Sequence, residues 1–263
     1  MSNDSIHVTE WGKSGPRVVM VHGSAQGSDV GGDYHFSAQQ RLGERGWQVL
    51  VPDRPGHGRS PSPGRPDDAE ADGEWVAELL GDGAHLVGHS FGGCVALAAA
   101  AKKPSATRSL TLIEPAMPRL AMKDPVVRRF GLRTVRTLFL TFSPEKRIDR
   151  FAALVNIPDD LRGGSDLEEK KRMGKAIRRL KLPSGKALQR QLDTIRDTQV
   201  PLLVVTGGWS PAFDITAETV AAAGGGRHIV IRSEHHFPQR VSDEFNDLLE
   251  TFMTESDGAH VTS

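Results

Sequence analysis

Gly88-His89-Ser90-Phe91-Gly92-Gly93 follows the apolar run Ala84-His85-Leu86-Val87 and opens onto an alanine-rich stretch from Phe91 to Lys103. The run before it reads as a buried strand and the stretch after it as a helix. A serine between glycines at such a junction predicts a sharp turn, because side chains at 88 and 92 would collide with its tight path. The turn lifts the Ser90 hydroxyl above the end of the strand. The helix that begins behind it directs free backbone N–H groups and positive dipole to the same place.

Outward from this turn, short apolar strands alternate with helical segments. Arg17-Val18-Val19-Met20-Val21 stops at His22-Gly23, and Gln48-Val49-Leu50-Val51 is halted by Pro52. A segment of helical composition holding Gln39, Gln40, Leu42 and Trp47 lies between them. Glu74 to Leu80 has helical spacing, and Ser109-Leu110-Thr111-Leu112-Ile113 is a further strand. Near the other end, Pro201 to Val205 and His228 to Ile231 are strands flanking a helix around Ala217 to Ala223, and Phe245, Leu248, Leu249 and Phe252 mark a last amphipathic helix. Apolar strands spaced by helices predict an α/β fold with a mostly parallel central sheet and helices on both faces.

The segment from Met117 to Arg196 breaks this rhythm. It holds 20 Lys and Arg against 9 Asp and Glu, whereas the rest of the chain holds 13 against 24. It is rich in helix signals and falls between two strands. The expected organisation is a core made of 1–116 and 197–263, with 117–196 inserted as a helical cap over the sheet edge where such sheets bind ligands. Its charge reads as solvated helix faces or as an attraction for an anionic substrate. Arg129, Arg133 and Arg136 share one helix face, as do Arg172, Lys175 and Arg179. They lack interleaved aromatics, so solvated faces are expected and not a nucleic-acid surface.

Composition limits the remaining classes. The 263 residues suffice for one large domain that buries roughly three-quarters of its unfolded surface. The single cysteine, Cys94, excludes an intrachain disulfide framework and fits a reducing compartment. No apolar run is long enough to span a bilayer and no secretory leader is legible, so a cytoplasmic location with no membrane partner is expected. No histidine pair has a third ligand at metal spacing, and no phosphate loop is present, so no metal and no cofactor are expected. Gly224-Gly225-Gly226 reads as a helix stop.

Four elements in order resemble the α/β-hydrolase superfamily: His22-Gly23-Ser24, Asp53 to Ser60, Gly88 to Gly93, and His235-His236-Phe237-Pro238 before the last helix. The resemblance covers nearly the whole chain. It implies Ser90 as nucleophile, His236 as its base, and an oxyanion hole made by the N–H groups of Ser24 and Phe91. His22 is implied to hold its loop, and His22, Trp209 and His235 to stand at the substrate pocket. His235 occupies the place of a family glycine.

The acid departs from the commonest family pattern. Ser210 stands where many members carry an aspartate after Gly207-Gly208-Trp209. A serine cannot supply the charge that stabilises an imidazolium. A second family location, the end of the strand after the nucleophile helix, is occupied here by Glu114, followed by Pro115. Glu114 is therefore assigned as the acid. Asp214 is the alternative, with helix N-cap as its other reading.

The resemblance implies two-step acyl transfer on a small or medium-sized ester or lactone. Serine rather than aspartate at 90 argues against dehalogenase or epoxide-opening chemistry, which needs a carboxylate nucleophile. Carbon–carbon bond hydrolysis, cofactor-free haloperoxidase-like activity and a non-catalytic binding role are the alternatives.

Overall fold

A computed structural model of the chain describes residues 6–23, 25–162 and 166–261. Among these residues seven strands form one sheet: β1 (Val8–Trp11), β2 (Arg17–Val21), β3 (Gln48–Pro52), β4 (Ala84–His89), β5 (Thr107–Ile113), β6 (Leu202–Thr206) and β7 (Arg227–Val230). Their order is β1-β3-β2-β4-β5-β6-β7. All neighbours run parallel except β1, which pairs antiparallel with β3. The α/β class read from the sequence is the observed one. Short, half-exposed β1 escaped that reading because its polar Thr9 and Glu10 break any apolar run.

Among the described residues ten α-helices accompany the sheet: α1 (Gly32–His35), α2 (Gln40–Glu44), α3 (Ala69–Leu79), α4 (Phe91–Lys102), α5 (Pro125–Leu140), α6 (Pro144–Leu154), α7 (Leu167–Ile177), α8 (Gly185–Asp197), α9 (Pro211–Gly224) and α10 (Glu244–Val261). Alternate strand residues go to opposite faces. Val19, Val21, Leu86, Leu110, Leu112 and Val204 pack under α3, α4, α8 and α9. Val18, Met20, Val49, Val87, Leu203 and Val205 pack with Trp47 and with Phe245, Leu249 and Phe252 of α10. Cys94 of α4 lies in the first core, where burial pushes its thiol up to about 12.

Between β5 and β6 the chain forms α5 to α8. The last of these is part of the layered core: Leu188, Leu192 and Ile195 are buried with Val220 of α9 and Leu97 of α4. The basic segment 117–196 thus includes one helix whose apolar face joins the sheet's own core. The i, i+4, i+7 spacing of those three residues is a buried-face signal that the basic composition overrode. α6 and α7 pack on each other and on Ala25 through Ile148, Met173 and Ile177. α5 lies against α9 through Val127 and Ala212. No helix among the described residues is long and apolar enough to cross a membrane.

The loop after β3 is fixed more deeply than its glycines suggested. Asp53 accepts from the N–H groups of Gly32 and Arg59 and from the Arg59 side chain. Arg54 is fully buried and donates to Asp72, to Asp67 and to the Gly23 carbonyl. Its guanidinium also lies 4.6 Å from the Phe91 ring centroid. Burial pushes the Asp67 carboxyl up against the pull of Arg54. Arg54→Ala should destabilise the protein by roughly 3–5 kcal/mol in chemical denaturation, because it leaves the Asp67 carboxylate buried without its ion-pair partner and Asp72 with Arg65 alone.

Candidate active site

Parallel register brings the ends of four strands to one edge. Val21 lies opposite Gly88, His89 opposite Ile113, and Ile113 opposite Val205. Ser90 and Glu114, each one residue beyond its strand, are therefore neighbours across the β4–β5 pair. Both take positive φ, Ser90 at 56° and Glu114 at 46°. Non-glycine residues in that region carry strain of about 1–3 kcal/mol, which surrounding structure must hold. Here the Ser90 N–H donates to the Ile113 carbonyl at 2.8 Å, and the Glu114 N–H to Val205 at 2.9 Å.

The glycines of the turn are sterically required. A Cβ on Gly92 would stand 2.2 Å from the Val21 carbonyl oxygen, and one on Gly88 2.5 Å from that of Gly92. Gly23 brings the loop after β2 against the nucleophile candidate, since a Cβ there would be 2.9 Å from the Ser90 Cβ. Phe91 opens α4, so its N–H has no partner within the helix. Ser24, the second expected oxyanion donor, lies outside the described residues.

Glu114 reaches the late histidine. Its Oε2 stands 3.2 Å from His236 Nδ1, and its Oε1 accepts from the Gly207 N–H at 2.7 Å. Both side chains are buried. Burial raises the Glu114 carboxyl to about 8 and lowers the His236 imidazole to about 3. Each group alone favours its neutral form, and the positively charged imidazole is favoured only beside an ionised Glu114. With Nδ1 turned to the carboxylate, Nε2 is the nitrogen left for a serine proton. The Ser90 hydroxyl itself makes no hydrogen bond among the described residues, a separation that substrate binding would have to close.

The profile of the alpha/beta hydrolase family matches residues 18–248 of this sequence. The chain belongs to that family. Among similar proteins is lipase LipV of Mycobacterium tuberculosis (strain ATCC 25618 / H37Rv), 38% identical over 119 residues, 43% of this chain and 42% of that protein. Another is 2-hydroxy-6-oxo-6-phenylhexa-2,4-dienoate hydrolase of Burkholderia cepacia, 26% identical over 162 residues, 60% of this chain and 54% of the relative. The chain thus matches about half the length of these relatives. The enol-lactonase from Burkholderia xenovorans LB400 superposes with a TM-score of 0.66 at 20% identity, covering 95% of this chain and 96% of that one. At that identity the likeness is one of fold.

Asp214 makes no hydrogen bond or ion pair with His235 or His236, although its charge helps raise the Glu114 carboxyl. It accepts from the Thr206 hydroxyl at 2.6 Å, inside the first turn of α9. Nor is it an N-cap, because α9 begins at Pro211 with Ser210 in the cap position. Ser210-Pro211 carries the signal for that start, a cap residue followed by N1 proline. The Gly207 loop carries no carboxylate and instead donates the Gly207 N–H to Glu114. Trp209 is half-buried beside the pair, 6.1 Å from the His236 ring, and its indole N–H faces Glu114 without closing a hydrogen bond. His235 is half-buried and turned to its own loop, where Nδ1 accepts from the Phe237 N–H at 3.2 Å. His22 is fully buried and so lines no open pocket. It accepts from the Arg54 N–H through Nε2 at 2.9 Å and donates from Nδ1 to Gly23 at 2.7 Å.

Two residues that hold His236 were not legible from sequence. His89 donates from Nε2 to the His236 carbonyl at 2.8 Å. Asn156, past the end of α6, accepts the His236 N–H on its backbone carbonyl at 3.2 Å and donates its side-chain amide to the Glu234 carbonyl. Asn156 sits at φ 51°, with the Ile157 N–H donating to Ala152 and its own N–H to Ala153. That pair of bonds is a Schellman stop in which asparagine takes the usual glycine place. The α6 terminus therefore grips the histidine loop from both sides. No group of three or more His, Cys, Asp or Glu side chains among the described residues is arranged to hold a metal.

Proposed function

We propose that this chain is a serine hydrolase that cleaves a carboxylic ester or lactone of small or medium size through an acyl-enzyme. The observation that carries the reading is the buried contact of Glu114 Oε2 with His236 Nδ1 beside a serine on a strained strand-end turn. His236 Nε2 takes the proton of the Ser90 hydroxyl as Oγ attacks the carbonyl carbon. The new oxyanion accepts from the Phe91 N–H and from the loop holding Ser24, each donor contributing about 3 kcal/mol. His236 then returns the proton to the leaving oxygen, which in a lactone stays tethered to the acyl group. Water, deprotonated by the same imidazole, releases the acid and restores Ser90.

A fluorophosphonate probe tests the nucleophile. The folded protein should form one adduct, located on Ser90 by peptide mass, and Ser90→Ala should form none. A folded protein that stays unlabelled would favour a binding role. Similarity to the dienoate hydrolase supports a second reading, hydrolysis of a carbon–carbon bond next to a ketone by the same residues. Turnover of a dienoate panel beside p-nitrophenyl esters of graded chain length separates the two.

In this reading α5 to α7 form the cap, and Asn156 couples it to the base. Asn156→Ala strains the left-handed backbone and removes the hold on Glu234, so kcat should fall between about tenfold and a hundredfold with little change in KM. Asn156→Gly keeps the backbone conformation and the carbonyl, and should lie nearer wild type. Equal kcat in wild type and both variants would remove Asn156 from the account.

A further inference from the structure

The outer face of α5 carries two kinds of group left without partners. Leu132, Val135, Phe139, Leu140 and, just past the helix, Phe142 are exposed, from 51% at Phe139 to 94% at Phe142. Leu132, Val135 and Phe139 are spaced i, i+3, i+7 and form one stripe. Arg129, Arg133 and Arg136 have the same kind of spacing and lie about a quarter-turn away, bordering that stripe. Among the described residues none of these three makes a side-chain hydrogen bond or ion pair, whereas Arg45, Arg59, Arg172 and Arg227 have carboxylate partners. No acidic residue occurs between Pro125 and Leu140. Exposed Arg178 adds a further cation, 5.8 Å over the Phe139 ring. The inward face of α5 is the one that packs, through Val127 and Phe130.

We propose that this face of α5 docks in the plane of an anionic lipid surface. The combination fits an interface that is apolar beneath and negatively charged above, with Leu, Val and Phe entering the acyl boundary and the arginines meeting headgroups. A second copy of the chain fits less well, because two-fold pairing of this face would set arginines against arginines. The solvated face expected from the arginine spacing alone accounts for the charges and leaves the apolar stripe unexplained. Docking does not depend on the reaction proposed for Ser90.

The test is sedimentation of the full-length protein with phosphatidylcholine vesicles, with and without phosphatidylglycerol. Wild type and Ser90→Ala should sediment alike with the anionic vesicles, weakly with the neutral ones, and less as salt rises. Arg129→Gln/Arg133→Gln/Arg136→Gln should lower the partition coefficient on the order of a hundredfold. Leu132→Ser/Phe139→Ser/Phe142→Ser should lose binding at every salt concentration, with an unchanged near-ultraviolet dichroism spectrum showing that it folds. Three results would overturn the proposal: no sedimentation of wild type, equal binding to both vesicle types, or a wild-type dimer in solution that the serine variant dissociates.

Discussion

Glu114→Gln is expected to lower kcat on the order of 10⁴-fold while Asp214→Asn stays close to wild type. The reason lies in what each carboxylate oxygen touches. Oε1 accepts from the Gly207 N–H, so the glutamine carbonyl is held there and its NH₂ group faces His236 Nδ1. That amide can only donate. Nδ1 must then accept, the ring proton moves to Nε2, and the imidazole presents a donor where a base is needed. The substitution keeps shape and hydrogen bonding yet fixes the wrong tautomer. Steady-state kinetics on one p-nitrophenyl ester decides the matter, and a large loss in Asp214→Asn instead would transfer the acid role.

The same pair sets the pH dependence. The working form is an ionised Glu114 with a neutral His236 protonated at Nδ1, and one further proton on the pair stops it wherever that proton sits. Burial holds a proton on the Glu114 carboxyl up to about 8 and keeps the imidazole from taking one until about 3. Activity should therefore rise with pH through a midpoint near 8, above the 6.5 of an unperturbed histidine. It should fall away on the acid side. The residual rate of Glu114→Gln should lack that limb between pH 6 and 9. A wild-type midpoint at or below 6 would contradict the buried pair.

That Glu114 would stand beside Ser90 was legible in the sequence because parallel register makes strand ends equivalent. Once His89 and Ile113 are each the last residue of an apolar strand, the residues after them meet at one edge. The elements that stayed hidden have non-local causes. Arg54, Asp67 and Asp72 sit in a Pro- and Gly-rich stretch that reads as solvated, and only the fold shows three charges burying together. Asn156 acts through backbone conformation, which its residue type permits without announcing. That α8 packs into the core was hidden because composition was weighed over the i, i+4, i+7 periodicity of Leu188, Leu192 and Ile195.

Stability should collapse between pH 6.5 and 5.5, the second large effect expected of this molecule. Four histidines form a buried chain leading away from His236: His89 lies 4.8 Å from it, His35 6.4 Å from His89, His22 5.2 Å from His35, and His57 5.0 Å from His22. Burial is the first cause holding all four well below the ordinary histidine value, and neighbouring imidazoles or Arg54 add to it. Among the described residues His35 Nδ1, His57 Nε2 and His89 Nδ1 have no hydrogen-bond partner, so a proton gained there would find no acceptor among them. Because the folded values are depressed, the unfolded chain binds more protons below 6.5. Each histidine then withdraws about 1 kcal/mol between pH 6.5 and 5.5, about 4 for the four together. Glu114 acts with the opposite sign, gaining stability as pH falls below about 8, and roughly cancels the loss from His236. The net loss over one pH unit then approaches the lower end of the 5–15 kcal/mol that holds a domain folded. Urea denaturation followed by circular dichroism at steps from pH 7.5 to 5.5 measures it. His35→Phe, which keeps a ring against Phe237, should flatten the slope by about a quarter. A midpoint that is flat across this range would mean that these histidines are protonated inside the folded protein, or that they are not buried as described.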